Sequence, residues 1–479
     1  MVALSAAHGM VLTTGKPQAV VVHVDVGTQG LAAAVHNASM GRAPVLIFAG
    51  LSPFTQEGEM RGSRTEFIHW TQDVHNQRGI VAQYCRYTAE IKTGRNIKQM
   101  VNRALSFATS DPKGPVYLVG AREVMEEDIE PYGLDQSFWS PIEPAALPEE
   151  GVRTVCDALL AAKDPLVIVA YSGRKGESVG ELVKLVDSVG ARVLDTLGSD
   201  MCFPADHRAY LGVRYGVHDK VTEADVILLL DVDIPYIPTR LDIHTPPRLC
   251  VAKLTHWTRC KPNEKALVYH IDVDPLKQQM PVFYVNAKAR YRADATTALK
   301  QLNAYISSKG STVNPARISE LDREFEAREE QLAKAEQPLK DGTLSANHLV
   351  GSIRDAVPRD SVFMVEAVTM SGIVFDHLRP SAPGSLYNSG AGGRESPAAH
   401  TSLHHPHTNR APQSRLVRWR RRRRQTRAHA HRQDEIRDRS GRRRNLPLRR
   451  PVFGLLDVAA LQRPIPHRRP QQQRLECPA

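Results

Sequence analysis

Apolar residues along this chain fall into short, nearly unbroken runs separated by stretches of helical periodicity. PVLIFAG (44–50), VYLVGA (116–121), LVIVA (166–170), VILLLDV (226–232), VYHIDVD (268–274) and VFMVEA (362–367) read as strands. Their continuity is that of strands covered on both faces, since a half-exposed strand would alternate apolar and polar positions. Between them, Ile97, Val101, Ala104 and Leu105 recur at helical spacing in 95–109, as do Val152, Val155, Leu159 and Leu160 in 151–163. Strands alternating with helices predict an α/β fold built on parallel sheets flanked by helices.

Composition shifts divide the chain. Residues 126–150 are rich in proline and acid and read as a linker, and 306–345 holds a charged helical stretch, ISELDREFEAREEQLAKAEQ, that suits a second connector. The expected units are therefore 1–125, 151–305 and 346–393, followed by 394–479. The third is too short to bury an α/β core alone.

The 479 residues are 42% hydrophobic and 24% charged, which excludes collagen-like, disulfide-stapled and fully disordered classes. The six cysteines form no C-x-x-C pair, so neither a zinc site nor a redox motif is signalled, and reduced thiols are expected. No apolar run approaches the roughly 18 residues that cross a bilayer, and MVALSAAHGM has no basic leader region. A soluble, cytoplasmic protein is expected, with a mitochondrial location as the alternative. The net charge of +11 hides an asymmetry: residues 394–479 carry 22 Arg, no Lys and 6 acids, while 1–393 has 41 basic residues against 46 acidic ones.

Candidate chemistry is sparse motif by motif. Residues 20–50 read as strand, glycine loop, helix, strand, where Gly27 and Gly30 would let the backbone approach a ligand beside a helix N-terminus. NSGAGG (388–393) follows a strand and could wrap a diphosphate with its N–H groups, as could an ordinary surface turn. HIDVDP (270–275) could present Asp272 or Asp274 at a sheet's carboxyl edge, or cap the next turn. His8, His23 and His69 are isolated and favour packing or surface roles. G-x-G-x-x-G and a Ser-His-Asp set are both missing.

Taken together, these segments resemble the thiamine-diphosphate-dependent enzymes of the acetolactate synthase and pyruvate decarboxylase superfamily. MVALSAAHGM with TGKPQAVVVHVDVGTQGLAAAVHNA is similar to part of that family's pyrimidine-binding domain. GVRTVCDALLAAKDPLVIVA through YHIDVDPLKQQMP is similar to its central, Rossmann-like domain, and SVFMVEAVTMSG with NSGAGG to the opening of its diphosphate-binding domain.

The resemblance implies thiamine diphosphate and Mg²⁺ as cofactors, with FAD in some relatives, and a 2-oxo acid as substrate. It implies a decarboxylase or carboligase of the acetolactate synthase kind, a 2-hydroxyacyl-CoA lyase as the alternative, and a non-catalytic binding fragment as the reading from another class. By resemblance Gly27, Thr28 and Gln29 lie near the pyrimidine, and Glu366, Ala367, Thr369, Asn388, Ser389, Gly390 and Ala391 near thiazolium and diphosphate. Gln72 faces the substrate. Active sites in this family form between subunits, so a homodimer or homotetramer is implied, with no membrane or nucleic-acid partner.

Two departures stand out. The family glutamate that hydrogen-bonds the pyrimidine is expected just before Met1, so no catalytic residue is assigned, and G-D-G, which carries the metal-binding aspartate, is missing from the sequence. The arginine-rich tail offers an account. Read one base out of frame through permitted codons, Arg442–Arg444 overlie G-D-G and Gln471–Gln473 overlie N-N-N, with the family's spacing between them. Arg394-Glu395-Ser396 can encode a splice donor and Ser414 an acceptor. The tail is thus read as frame-shifted by a retained intron and disordered as translated, against the competing reading of an RNA- or anion-binding tail. No metal ligand is assigned, and this chain as written is expected to show little turnover.

Overall fold

The structure is a computed structural model and describes residues 1–196, 199–241, 257–310, 313–367 and 370–388. The first layer opens with helix α1 (Val2–Thr14), then β1 (Gln18–Val22), α2 (Val24–Gln29), α3 (Ala32–Met40) and β2 (Val45–Leu51). It continues with α4 (Ile68–Thr71), β3 (Tyr87–Ile91), α5 (Ile97–Thr109), β4 (Val116–Ala121) and α6 (Arg122–Met125). The strands form a parallel sheet of order β1-β2-β4-β3. All six residues of β4 are buried because it lies between β2 and β3 with helices outside. Its apolar run needs no alternation for that reason. Leu4, Val11, Leu31, Val35, Val45 and Ile47 build one face of the core, and Ile91, Ala104, Ala108 and Leu118 the other.

Residues 126–148 carry one short helical turn, Gln136–Trp139, and lead into the second layer. There α7 (Glu149–Ala161), β5 (Pro165–Val169), α8 (Gly176–Val189), β6 (Arg192–Asp195) and β7 (Tyr210–Val213) come first. Then follow α9 (Lys220–Glu223), β8 (Val226–Leu230), β9 (Thr239–Leu241), β10 (Trp257–Arg259), β11 (Leu267–Asp272), β12 (Ala289–Arg292) and α10 (Ala295–Lys309). Six strands form a parallel sheet of order β12-β11-β8-β5-β6-β7, the doubly wound arrangement expected of a Rossmann-like domain. The chain goes out to one side through β6 and β7, then returns to the other through β8, β11 and β12. On α7 the buried Val152, Val155, Cys156 and Leu159 make one stripe against the sheet. Helix α8 ends on Gly190, whose φ of 61° lets its N–H cap the carbonyl of Val186.

The charged connector is a helix, α11 (Pro315–Ala335), started by Asn314, whose side chain accepts from the N–H of Ala316, and by proline at its first position. It docks through ions: Arg192 of β6, 2% exposed, reaches Glu320 and Glu324 of α11 and also Asp164. A third group follows, with α12 (Ala346–Ala356), β13 (Phe363–Val365), α13 (Ser371–Leu378) and β14 (Leu386–Asn388), the two strands pairing in parallel. No helix among the described residues is long and apolar enough to cross a membrane.

Candidate functional site

In parallel α/β sheets ligands collect at the carboxyl ends of the strands, and the described residues contain three such edges. At the first, β1 runs out at Val22 and turns sharply: Val24 has φ 35°, a costly conformation for a β-branched residue. The expected glycine loop is wound into the short helix α2. Gly27 donates its N–H to His23 O at 2.7 Å, and a Cβ there would sit 3.0 Å from Val22 Cβ, so glycine lets α2 fold back on its own strand. Gly30 caps that helix with an ordinary right-handed backbone.

Thr28 is fully buried, its Oγ1 bonded to Val24 O at 2.7 Å and paired with Tyr117 Oη at 2.6 Å. Gln77 donates to the same Tyr117 Oη at 3.0 Å and to Gly50 O at 2.9 Å. The Thr28 hydroxyl is therefore committed inside the fold. Gln29 is exposed and donates to Asp25, a buried carboxylate whose other oxygen, Oδ1, has no hydrogen-bond partner among the described residues.

Gln72, 49 positions from His23 in sequence, comes to the same edge, its Oε1 3.1 Å from His23 Nε2. Its carbonyl accepts from Ser52 Oγ, just beyond β2. The intervening loop is pinned by the buried Glu123, which accepts from Thr55 N at 2.9 Å and Thr55 Oγ1 at 2.7 Å. Gly27, Thr28, Gln29 and Gln72 thus share one sheet edge with His23 and Asp25, neither of which the sequence pattern singled out there.

The second edge belongs to the six-stranded sheet. Asp272 is fully buried and receives Lys277 Nζ at 2.6 Å and the N–H of Asp274 at 2.8 Å. Asp274 accepts from the N–H of Gln278 at 3.0 Å. The acidic strand end is engaged in internal pairs, the capping alternative of the two weighed for it. Burial would raise the Asp272 pKa, but Arg42, His270 and Lys277 hold it far below the usual carboxylate range.

The third edge carries Glu366, Ala367 and Asn388. Val365 and Asn388 are partners in the β13–β14 register, so Glu366 and Asn388 leave neighbouring strands side by side. Glu366 is exposed, Ala367 and Asn388 are half-buried, and Asn388 N donates to Ser199 O at 3.0 Å. Thr369, Ser389, Gly390 and Ala391 lie outside the described residues, as does the whole tail from 394 on with its arginine runs.

Two family profiles match this chain: residues 1–80 match the thiamine pyrophosphate enzyme N-terminal TPP binding domain, and 152–302 the thiamine pyrophosphate enzyme central domain. The chain belongs to the thiamine-diphosphate-dependent enzymes. Among relatives of this family, 2-hydroxyacyl-CoA lyase 2 of Caenorhabditis elegans is 21% identical over 75% of this chain and 57% of its own length. The acetolactate synthase isozyme 3 large subunit of Escherichia coli is 23% identical over 64% of this chain and 50% of its own. The chain thus spans little more than half the length of these relatives.

Solved structures share the fold. A thiamin diphosphate-dependent enzyme from Mycobacterium smegmatis superposes with a TM-score of 0.62 at 19% identity, covering 81% of this chain and 68% of that one. Benzoylformate decarboxylase from Polynucleobacter necessarius gives 0.61 at 14%, covering 83% and 67%.

The residues present fit the family cofactor in part. Carboxamides at Gln29 and Gln72 supply donors and acceptors suited to an aminopyrimidine, and Asn388 offers a donor at the edge expected for the diphosphate. Among the described residues no group of three His, Cys, Asp or Glu side chains is placed to hold a metal ion.

Proposed function

We propose that this chain is part of a thiamine-diphosphate-dependent enzyme that breaks or makes a carbon–carbon bond beside the carbonyl of a 2-oxo acid, in the manner of acetolactate synthase. The observation that carries this reading is the convergence of Gly27, Gln29 and Gln72 on one strand edge, within a chain whose two matched segments follow the family's order. In this reading Gly27 and Gln29 flank the pyrimidine and Thr28 holds the turn through Tyr117. Gln72, oriented by His23 and Ser52, faces the substrate. Glu366, Ala367 and Asn388 approach the thiazolium and diphosphate, with Thr369 and Ser389–Ala391 continuing that edge.

When bound, the cofactor supplies a sink for the electron pair released as carbon dioxide leaves. The chain's own residues bind, orient and exclude water, and no proton step is assigned to a described side chain.

The first and third edges stand apart in the chain, and Val21, Val26 and Phe67 near the first are exposed, at 74%, 51% and 79%. A second copy of the chain that covers them would complete the site, the basis for proposing a homodimer or homotetramer. The 2-hydroxyacyl-CoA lyase reading is kept because of the Caenorhabditis elegans relative, which aligns with three quarters of this chain.

Titration of the full chain with thiamine diphosphate, followed by calorimetry with and without Mg²⁺, tests the reading. Saturable binding that Gln29→Ala and Asn388→Ala weaken is expected, with little release of carbon dioxide from pyruvate. Binding unaffected by either substitution would contradict the site.

A further inference from the structure

The strand order of the second sheet is that of dinucleotide-binding sheets, whose ligand lies where the order reverses, beyond the carboxyl ends of the two central strands. Here that place is between β5 and β8, and it is shut in three ways. The strands do not part: Tyr171 N donates to Asp231 O at 3.0 Å beyond the last ladder pair of β5 and β8. The turn after β5 spends its glycine on protein backbone, since a Cβ on Gly173 would stand 2.3 Å from Met201 O. In nucleotide-binding turns that close approach is kept for the pyrophosphate.

The third closure is a side chain from the first layer. Arg42, in the turn after α3 and 8% exposed, donates to Asp231 Oδ1 at 2.5 Å and Asp233 Oδ1 at 2.7 Å, with Asp272 at 3.9 Å. Its guanidinium lies 4.6 Å from the ring centre of Tyr171. Arg174 holds the other oxygen of Asp231 at 2.8 Å, and Lys277 bridges Asp233 at 2.9 Å and Asp272 at 2.6 Å. Arg42, Asp231 and Lys277 all have left-handed backbone, with φ of 50°, 49° and 53°. That conformation is costly outside glycine and survives where surrounding contacts enforce it.

We propose that Arg42 is the built-in occupant of this crevice, a lock between the first and second layers that takes the place of a nucleotide, so that this chain binds neither FAD nor ADP there. The cations at this edge, Arg42, Arg174 and Lys277, are already paired with the three strand-end carboxylates rather than offered to a diphosphate, and the guanidinium those carboxylates hold occupies the crevice. The proposal stands on this geometry whatever reaction the first and third edges serve. It also sets aside the flavin that the family resemblance admits.

The full chain is purified without added nucleotide, denatured, and the released small molecules are read by absorbance and mass spectrometry. Equilibrium dialysis against FAD and against ADP follows. No released nucleotide and no saturable binding up to millimolar concentration are expected; stoichiometric FAD or ADP would overturn the proposal.

Amide hydrogen exchange supplies a second readout on the same unaltered chain. Tyr171 and Asp231 amides are expected to exchange as slowly as the centre of β8, and exchange at the rate of exposed turns would refute the lock. Arg42→Ala is expected to speed both amides by roughly tenfold or more, with Arg42→Lys between it and the parent. Unchanged protection in Arg42→Ala would also overturn the proposal. Should that variant not fold, Arg42→Lys against the parent keeps the comparison.

Discussion

Asp200 is buried with Oδ1 meeting no hydrogen-bond donor among the described residues, while Oδ2 accepts from Ser199 Oγ at 3.0 Å. Burial lifts its pKa to about 6, against the opposing pull of Arg174 and Ser199. The folded chain therefore keeps a proton that the unfolded chain loses near pH 4, and stability falls as pH rises from about 4 to 6 before levelling. Asp200→Asn removes the ionisation: urea denaturation should show a gain of up to about 3 kcal/mol at pH 7.5 and little change at pH 4.

His218 has the opposite sense. Burial and Arg214 lower it to about 4, and its Nδ1 accepts the N–H of Lys220 at 3.1 Å, which only the neutral ring can do. Its contribution is lost as pH falls from about 6.5 to 4, and His218→Gln should flatten that part of the stability curve. Gly173 is a steric case. Its missing Cβ would overlap a backbone carbonyl that cannot swing away, so Gly173→Ala should cost at least about 1–3 kcal/mol in thermal or urea unfolding.

At the scale of elements, Glu336 at the end of α11 ties three helices together. It accepts from Arg354 of α12 at 2.8 Å and His377 of α13 at 2.8 Å, with Arg379 at 3.4 Å. Burial would raise it, but Arg354 and His377 hold it down to about 2. Its contribution is present above about pH 4.5 and lost as pH falls through 2. Glu336→Gln should destabilise the chain by about 1–3 kcal/mol at pH 7, a difference that shrinks toward zero near pH 2. Chemical denaturation followed across that range measures it. Helix α11 illustrates the same physics: its mean composition is polar, and what fixes it is the ion cluster around Arg192 together with the buried Leu321.

For the whole molecule, the first two layers are joined by a buried ion cluster, Arg42 of the first against Asp231 and Asp233 of the second. A double-substitution cycle on Arg42→Ala and Asp233→Asn in the full chain should give a coupling of about 2 kcal/mol. A coupling near zero would mean that apolar packing alone sets how the two layers meet. The desolvation that makes such a cluster costly also makes it specific, because each charge left unpaired is penalised.

What the sequence determined is the repeating architecture. A continuous apolar run suits a strand covered on both faces, and VYLVGA emerged as β4 over the same six residues, whereas VFMVEA, read the same way, emerged as the short β13 with Met364 58% exposed. The charged stretch after 306 emerged as a helix because its periodicity and its Asn-Pro start are local signals. Short strands with charged ends, such as β3, β6 and β12, were not legible: RVLD buries its arginine only because three carboxylates arrive from elsewhere in the chain. Tertiary structure alone decided that Gln72 meets His23, that the glycine turn coils into α2, and that Arg42 lodges in the crevice of the second sheet. Those pairs are 49 and about 190 positions apart in sequence, and no local pattern encodes them. Periodicity reports which face of an element is apolar, whereas the partner of a buried charge is chosen only once the layers have closed and water has left.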